Sequence, residues 1–178
     1  MRIVSGTHRG RKFYPPKGLP VRPTTDFAKE GLFNMLRNRT TIEGAKVLDL
    51  CAGTGNMTFE FASREAGSIL AVDQHAGCVQ FIKKTATELK FSAITALKGD
   101  VFQFVKKLNQ QFDIIFADPP YALGETNELP TTIFEKKLIA KDGILIVEHG
   151  KETSFEEHPN FVSTRKFGNV NFTFFEES

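Results

Sequence analysis

The chain has 178 residues, 40% of them hydrophobic and 25% charged, with 14 Gly and 8 Pro, which is the size and make-up of one globular domain. That excludes a disordered or collagen-like chain, and no apolar run approaches the roughly 18 residues of a membrane-spanning helix. The formal charge of +2 is unevenly spread: Arg2, Arg9, Arg11, Lys12, Lys17 and Arg22 fall within residues 1–22 with no acid among them, which leaves −4 on the rest. A basic arm on a mildly acidic body fits a polyanionic partner at one end, and a basic but merely solvated strand pair fits the charge equally well. Cys51 and Cys78 form no CxxC pattern, and Met1–Gly6 lacks the apolar segment of a secretory leader, so a reducing, cytoplasmic setting is expected.

In chain order, Arg2-Ile3-Val4 and Lys12-Phe13-Tyr14 flank a glycine-bounded turn and predict a short β-hairpin arm. Pro15 to Pro20 ends it as an extended linker. Residues 1–23 are thus expected as arm and linker, and 24–178 as the main domain. A helix follows through Thr24, Thr25 or Asp26 as N-cap, with Ala28, Leu32, Met35 and Leu36 on one apolar face. Beyond residue 45, five apolar runs predict strands: Val47–Leu50, Ile69–Val72, Ile94–Leu97, Ile114–Ala117 and Ile144–Val147. They are mostly unbroken, as in strands covered on both faces. Helices are expected between them, around 56–66, 76–89, 101–108 and 130–138. Such alternation means an α/β fold with a mostly parallel, Rossmann-like sheet. At the end, Phe161–Phe167 and Val170–Phe175 flank Gly168-Asn169 and predict a C-terminal antiparallel hairpin.

The chemistry-bearing residues gather at predicted strand ends. Asp49-Leu50-Cys51-Ala52-Gly53-Thr54-Gly55-Asn56 runs from the first strand into a helix, and its glycines let a ligand approach the backbone. Asp73, followed by Gln74, ends the second strand, where a carboxylate suits ribose hydroxyls. Asp100, followed by Val101, comes after the third and could accept from an adenine amino group. Each also has a purely structural use: the glycines make the turn, and Asp73 and Asp100 cap the following helices. Together, Ala52, Gly53, Gly55, Asp49, Asp73, Gln74, Asp100 and Val101 favour a nucleoside cofactor. The third glycine of a dinucleotide motif is replaced by Thr58, which disfavours a nicotinamide enzyme.

After the fourth strand comes Asp118-Pro119-Pro120-Tyr121. The prolines hold Asp118 and Pro119 extended, so the Asp118 carboxylate and the Pro119 carbonyl form a stiff pair of acceptors matched to an NH₂ group. Tyr121 can stack on the base that carries it, worth about 1–3 kcal/mol. A proline-stiffened turn with Tyr121 in the core is the structural alternative.

The order Asp49–Gly55, Asp73, Asp100, Asp118–Tyr121 resembles class I S-adenosylmethionine-dependent methyltransferases acting on exocyclic amines. Arg2–Gly6, Arg9–Lys12, Arg22-Pro23-Thr24-Thr25-Asp26, Leu32-Phe33-Asn34, Leu48–Gly55, Asp118–Tyr121 and the Phe167-Gly168-Asn169 turn more closely resemble the bacterial 16S ribosomal RNA guanine-N2-methyltransferases of the RsmD type. Cys51 stands where methyltransferases at large have glycine, and Glu148 after the fifth strand also fits. The resemblance implies transfer of a methyl group from S-adenosylmethionine to guanine N2 in small-subunit ribosomal RNA, with an assembled or assembling subunit as the substrate. It implies RNA contacts by Arg9, Arg11, Lys12 and Arg22, Arg22 and Thr24 near the cofactor mouth, and no metal or membrane. Rival readings are a DNA adenine-N6 methyltransferase, served equally well by the same acceptors, and a non-catalytic RNA-binding protein.

Overall fold

A computed structural model describes residues 1–19, 23–120 and 124–177. The helix α1 (Asp26–Leu36) precedes β1 (Lys46–Leu50), α2 (Asn56–Ser63), β2 (Ser68–Asp73), α3 (Ala76–Glu88), β3 (Ile94–Lys98), α4 (Val101–Lys107) and β4 (Phe112–Ala117). A 3₁₀ turn, Gly124–Glu128, leads into α5 (Leu129–Glu135), β5 (Ile139–His149), β6 (Phe161–Phe167) and β7 (Val170–Glu176). The seven strands form one sheet in the order β3-β2-β1-β4-β5-β7-β6. The first five are parallel, and β7 pairs antiparallel with both β5 and β6. The order reverses between β1 and β4, so a crevice opens outside their carboxyl ends. Among the described residues no helix is long and apolar enough to cross a membrane.

Alternate residues of each central strand enter different cores. Val47, Ile114, Phe116, Ile144 and Ile146 pack with Ala28, Leu32, Leu36, Met57 and Phe61 of α1 and α2. Leu48, Leu50, Ile115, Leu145 and Val147 pack on the other face with Val101, Val105, Leu129 and Ile133 of α4 and α5. Both pleat faces are covered, which is why the runs read as unbroken apolar segments.

Boundaries differ from expectation where local chemistry intervenes. Thr25 is the N-cap of α1, its hydroxyl accepting from the Ala28 N–H at 3.2 Å. Lys29 and Phe33 join the buried face of α1, whereas Met35 is only partly buried. β5 begins at Ile139, five residues before the run at Ile144, and a register irregularity in its pairing with β4 absorbs the polar Lys141-Asp142 step.

The N-terminal arm is a minimal hairpin. Arg2 and Lys12 form a single antiparallel bridge, flanked by Ile3 N–H to Arg11 O at 3.0 Å and Phe13 N–H to Met1 O at 3.0 Å. Tertiary packing holds it in place. Ile3 and Phe13 are buried with Phe59 of α2 and Val79 and Ile82 of α3, and the Phe13 and Phe59 rings meet edge-on at 4.9 Å. Gly6, at φ +84°, lies so close to α2 that a Cβ would stand 1.9 Å from the Ser63 carbonyl oxygen. Any larger residue there would lift the arm off the helix.

Candidate active site

The β1–α2 loop turns through Cys51, Gly53 and Gly55, at φ 58°, 54° and 82°. Gly55 is the N-cap of α2, and a Cβ on it would lie 2.9 Å from both Ile82 and Phe59. A left-handed residue with no room for a side chain must be glycine. The loop is also braced. One Asp73 carboxylate oxygen accepts from the Gly53 N–H at 2.8 Å, the other from the His75 N–H at 2.8 Å. Asp73 therefore fixes the loop and the entry to α3, and each oxygen retains a further lone pair for a hydroxyl donor. Asp100 caps α4, accepting from the Gln103 N–H at 2.9 Å. The capping role foreseen for Asp100 is present, whereas α3 has His75 as its N-cap with no side-chain cap bond, and Asp73 instead braces the loop and the residue before the helix. Gln74 is exposed, and the Val101 side chain is buried in the core between the sheet and α4 and α5, so only its backbone is available to a ligand.

Asp49 is buried, one oxygen accepting from the Thr58 hydroxyl at 2.5 Å. Its other oxygen has no hydrogen-bond partner among the described residues. Burial, with the Asp73 charge adding to it, pushes the Asp49 carboxyl up to about 7. Asp118, half-buried at the end of β4, has its N–H on the Leu50 carbonyl at 3.1 Å. Burial, then the charges of Glu148 and Asp49, raise its carboxyl well above the usual carboxylate range. The Cys51 thiol is also pushed up by burial and by Asp118, Asp73, Asp49 and Asp100, in that order. The ends of four neighbouring strands thus converge their acids on one turn, a concentration of negative charge that favours a cation.

Thr24 and Glu148 close the other wall, the Thr24 hydroxyl donating to Glu148 Oε2 at 2.8 Å. This places the segment before α1 beside Asp118. Residue types alone leave the role of Glu148 unassigned, although an acid closing a fifth apolar run repeats the pattern of Asp49, Asp73 and Asp118. Pro119 is buried, and the Thr126 hydroxyl donates to the Pro120 carbonyl at 3.1 Å, tying the prolines to the 3₁₀ turn. Tyr121 and Arg22 lie outside the described residues.

Behind this wall runs a buried polar network absent from the sequence reading. Lys29 is fully buried. Its Nζ pairs with Glu60 at 3.0 Å and donates to Asn56 Oδ1 at 3.0 Å and to the Arg2 carbonyl at 2.5 Å. Glu60 also accepts from the Val4 N–H at 2.7 Å and is paired with Arg64. Asn56, the first residue of α2, donates to the Thr24 carbonyl at 2.8 Å. Arm, α1, α2 and the Thr24–Glu148 wall are one bonded unit. Its signals were a lysine inside the apolar stripe of α1 and the Asn56–Glu60 spacing on α2.

Arg9, Arg11 and Lys12 are exposed on the arm and, among the described residues, form no salt bridge. Arg2 differs, pairing with Asp26 at 2.8 Å.

Residues 1–176 match a family model described as "Conserved hypothetical protein 95". The Escherichia coli K12 protein named ribosomal RNA small subunit methyltransferase D is 32% identical over 160 residues, covering 89% of this chain and 79% of that one. The chain belongs to the RsmD-type methyltransferase family. YlbH of Bacillus subtilis is similar at 32% identity over 171 residues, covering 93% of this chain and 92% of the relative. The solved structure of yhhF from Escherichia coli superposes with a TM-score of 0.87 at 28% identity, over 98% of this chain and 96% of that one. The RsmD-type fold therefore extends over the arm as well as the sheet, and the arm-to-α2 network lies inside the matched region.

Proposed function

We propose that this chain transfers a methyl group from S-adenosylmethionine to the exocyclic N2 of a guanine in small-subunit ribosomal RNA. One observation carries the reading. The Asp118-Pro119 acceptor pair opens beside a cluster of buried strand-end acids, one of which, Asp49, keeps a carboxylate oxygen without a partner among the described residues. The family to which the chain belongs has members named for methylation of small-subunit ribosomal RNA.

The residues present fit the methyl donor. Asp49 and the backbone of Ala52, Gly53 and Gly55 would take its amino-acid end, Asp73 and Gln74 its ribose, and Asp100 with the Val101 N–H its adenine. The donor's sulfonium and ammonium charges match the acids that the fold holds together. When bound there, S-adenosylmethionine supplies a methyl carbon activated by its sulfonium.

The chain's own residues prepare the nitrogen. The N2 lone pair of guanine is delocalised into the ring, so the free amine is a poor nucleophile. Asp118 and the Pro119 carbonyl would each accept one amine hydrogen, favouring the tetrahedral nitrogen on which the lone pair is localised and aimed at the methyl carbon, and stabilising positive charge that develops on nitrogen. The same environment that raises the Asp118 carboxyl gives it proton affinity above that of an ordinary carboxylate, which suits it to take the proton that N2 sheds. Extruding a stacked base costs a few kcal/mol, and Tyr121 stacking would offset part of that. Arg9, Arg11, Lys12 and Arg22 would hold phosphates, which position the RNA without reading its sequence. A soluble cytoplasmic enzyme acting on an assembled or assembling subunit completes the reading.

The test is methyl transfer from labelled donor to unmethylated small subunits, naked ribosomal RNA and DNA, with the product base mapped. Label on guanine N2 of ribosomal RNA is the expected result; label on adenine N6 of DNA overturns it. Asp118→Ala should abolish transfer while leaving donor affinity nearly intact, and equal loss of both would assign the residue to binding or folding instead.

A further inference from the structure

The far end of the sheet carries a second basic surface that the catalytic reading does not use. A cleft of about 440 Å³ opens where α3 ends and β3 begins, lined by Lys83, Thr87, Lys90, Phe91, Ser92 and Ile94 among others, with no acid in its lining. Lys83 and Thr87 lie one turn apart on α3, and Lys90 follows just past its end in a left-handed conformation; all three are exposed. Among the described residues neither lysine is in a salt bridge, whereas the neighbouring Lys84 sits 3.9 Å from Glu88. The turn of the N-terminal arm borders this cleft. The His8 ring lies 4.3 Å from that of Phe91, and His8 Nε2 is 3.1 Å from the Leu89 carbonyl. Arg9 and Arg11 follow next along the arm, both exposed.

We propose that this cleft, with the arm turn beside it, is a second RNA-binding surface that takes the sugar-phosphate backbone of the substrate away from the target nucleotide. Two ammonium groups, Lys83 and Lys90, flank the exposed Ser92 hydroxyl, while the Thr87 hydroxyl donates back to the Lys83 carbonyl at 3.0 Å; ammonium and hydroxyl donors suit phosphate oxygens and are indifferent to base identity. The position is informative. Ile94 starts β3, whereas the acid-lined site lies past its other end, and Met1–His8 spans the distance between them, at most about 25 Å of chain. An RNA lying along the arm would therefore touch the catalytic crevice and the cleft together. Contact at two separated points gives a chain this short a way to orient a large folded RNA. The proposal rests on the RNA-methyltransferase reading only for the identity of the substrate.

The test uses the full chain with Lys83→Gln and Lys90→Asn, the latter because Lys90 has φ 58° and Asn tolerates that conformation. Binding of naked small-subunit ribosomal RNA is measured across a salt series, alongside steady-state methylation and donor binding. Two lost phosphate contacts should flatten the slope of log K against log salt by about 1.4–1.8. KM for RNA should rise about tenfold or more, with kcat and donor affinity unchanged. An unchanged slope and KM overturn the proposal. So does weaker binding to assembled subunits alone with naked RNA unaffected, which would assign the cleft to an acidic protein partner. Should the parent chain bind RNA with a salt slope but methylate no RNA, the catalytic reading fails while the cleft is still decided by the slope.

Discussion

Asp49 and Asp118 are costly residues for a donor-free protein. Both carboxyls are raised, so each favours the folded state while protonated and loses that advantage as pH rises through its folded value, near 7 for Asp49. A bound cation reverses the preference by stabilising the ionised form. S-adenosylmethionine binding at pH 7 should therefore expel about half a proton from Asp49, more at pH 5.5 and almost none by pH 9. Calorimetry in buffers of differing ionisation enthalpy reads this directly, and affinity should climb as pH passes through 7. Asp49→Asn removes that residue's share; undiminished proton release in the variant would detach Asp49 from the donor. The acids themselves were legible in the sequence, because each closes an apolar run and strand ends are where such folds bind ligands. Their electrostatics were not. That Asp49 keeps an oxygen unbonded among the described residues, or that Glu148 bears on Asp118, depends on which side chains the sheet order brings face to face.

Every residue of α2 is buried, which is unusual for an eight-residue helix carrying Asn56, Thr58, Glu60 and Ser63. The arm makes this possible by covering the outer side of the helix. Ser63 donates to the Ser5 carbonyl at 2.7 Å and accepts from the His8 N–H at 2.9 Å, while Glu60 and Asn56 meet Lys29. Helical periodicity placed α2 and α1 within a few residues but could not see this, because it separates apolar from polar and assigns a lone lysine to solvent. The consequence is measurable. Lys29→Met leaves buried Glu60 with Arg64 as its remaining cation and should destabilise the chain by about 3 kcal/mol in denaturant unfolding. Lys29→Met with Glu60→Leu removes both charges and should recover much of that loss. Equal instability in single and double variants would mean that packing volume, and not the charge pair, holds arm and helices together.

Across the whole molecule the charges are sorted: acids at the carboxyl ends of β1, β2, β4 and β5 and after β3, exposed cations along the arm. Alternation of strands and helices was enough to foresee the parallel sheet with its terminal hairpin. It could not say where the arm would lie, since one bridge sets no docking geometry and Ile3 and Phe13 find their partners only in the assembled α2–α3 groove. Because the side chains of Arg9, Arg11 and Lys12 form no salt bridge among the described residues, they can be neutralised without freeing the arm. Replacing Arg9, Arg11 and Lys12 with Gln should leave the thermal midpoint and donor affinity almost unchanged. It should weaken RNA binding and flatten its salt slope by about 2–3, one phosphate contact for each lost charge. Fluorescence anisotropy of labelled RNA over 50–300 mM salt, across which the Debye length falls by a factor of roughly 2.5, resolves that difference. An unaltered slope would make the arm a cover for α2 and nothing more, leaving the phosphates to be held elsewhere on the surface.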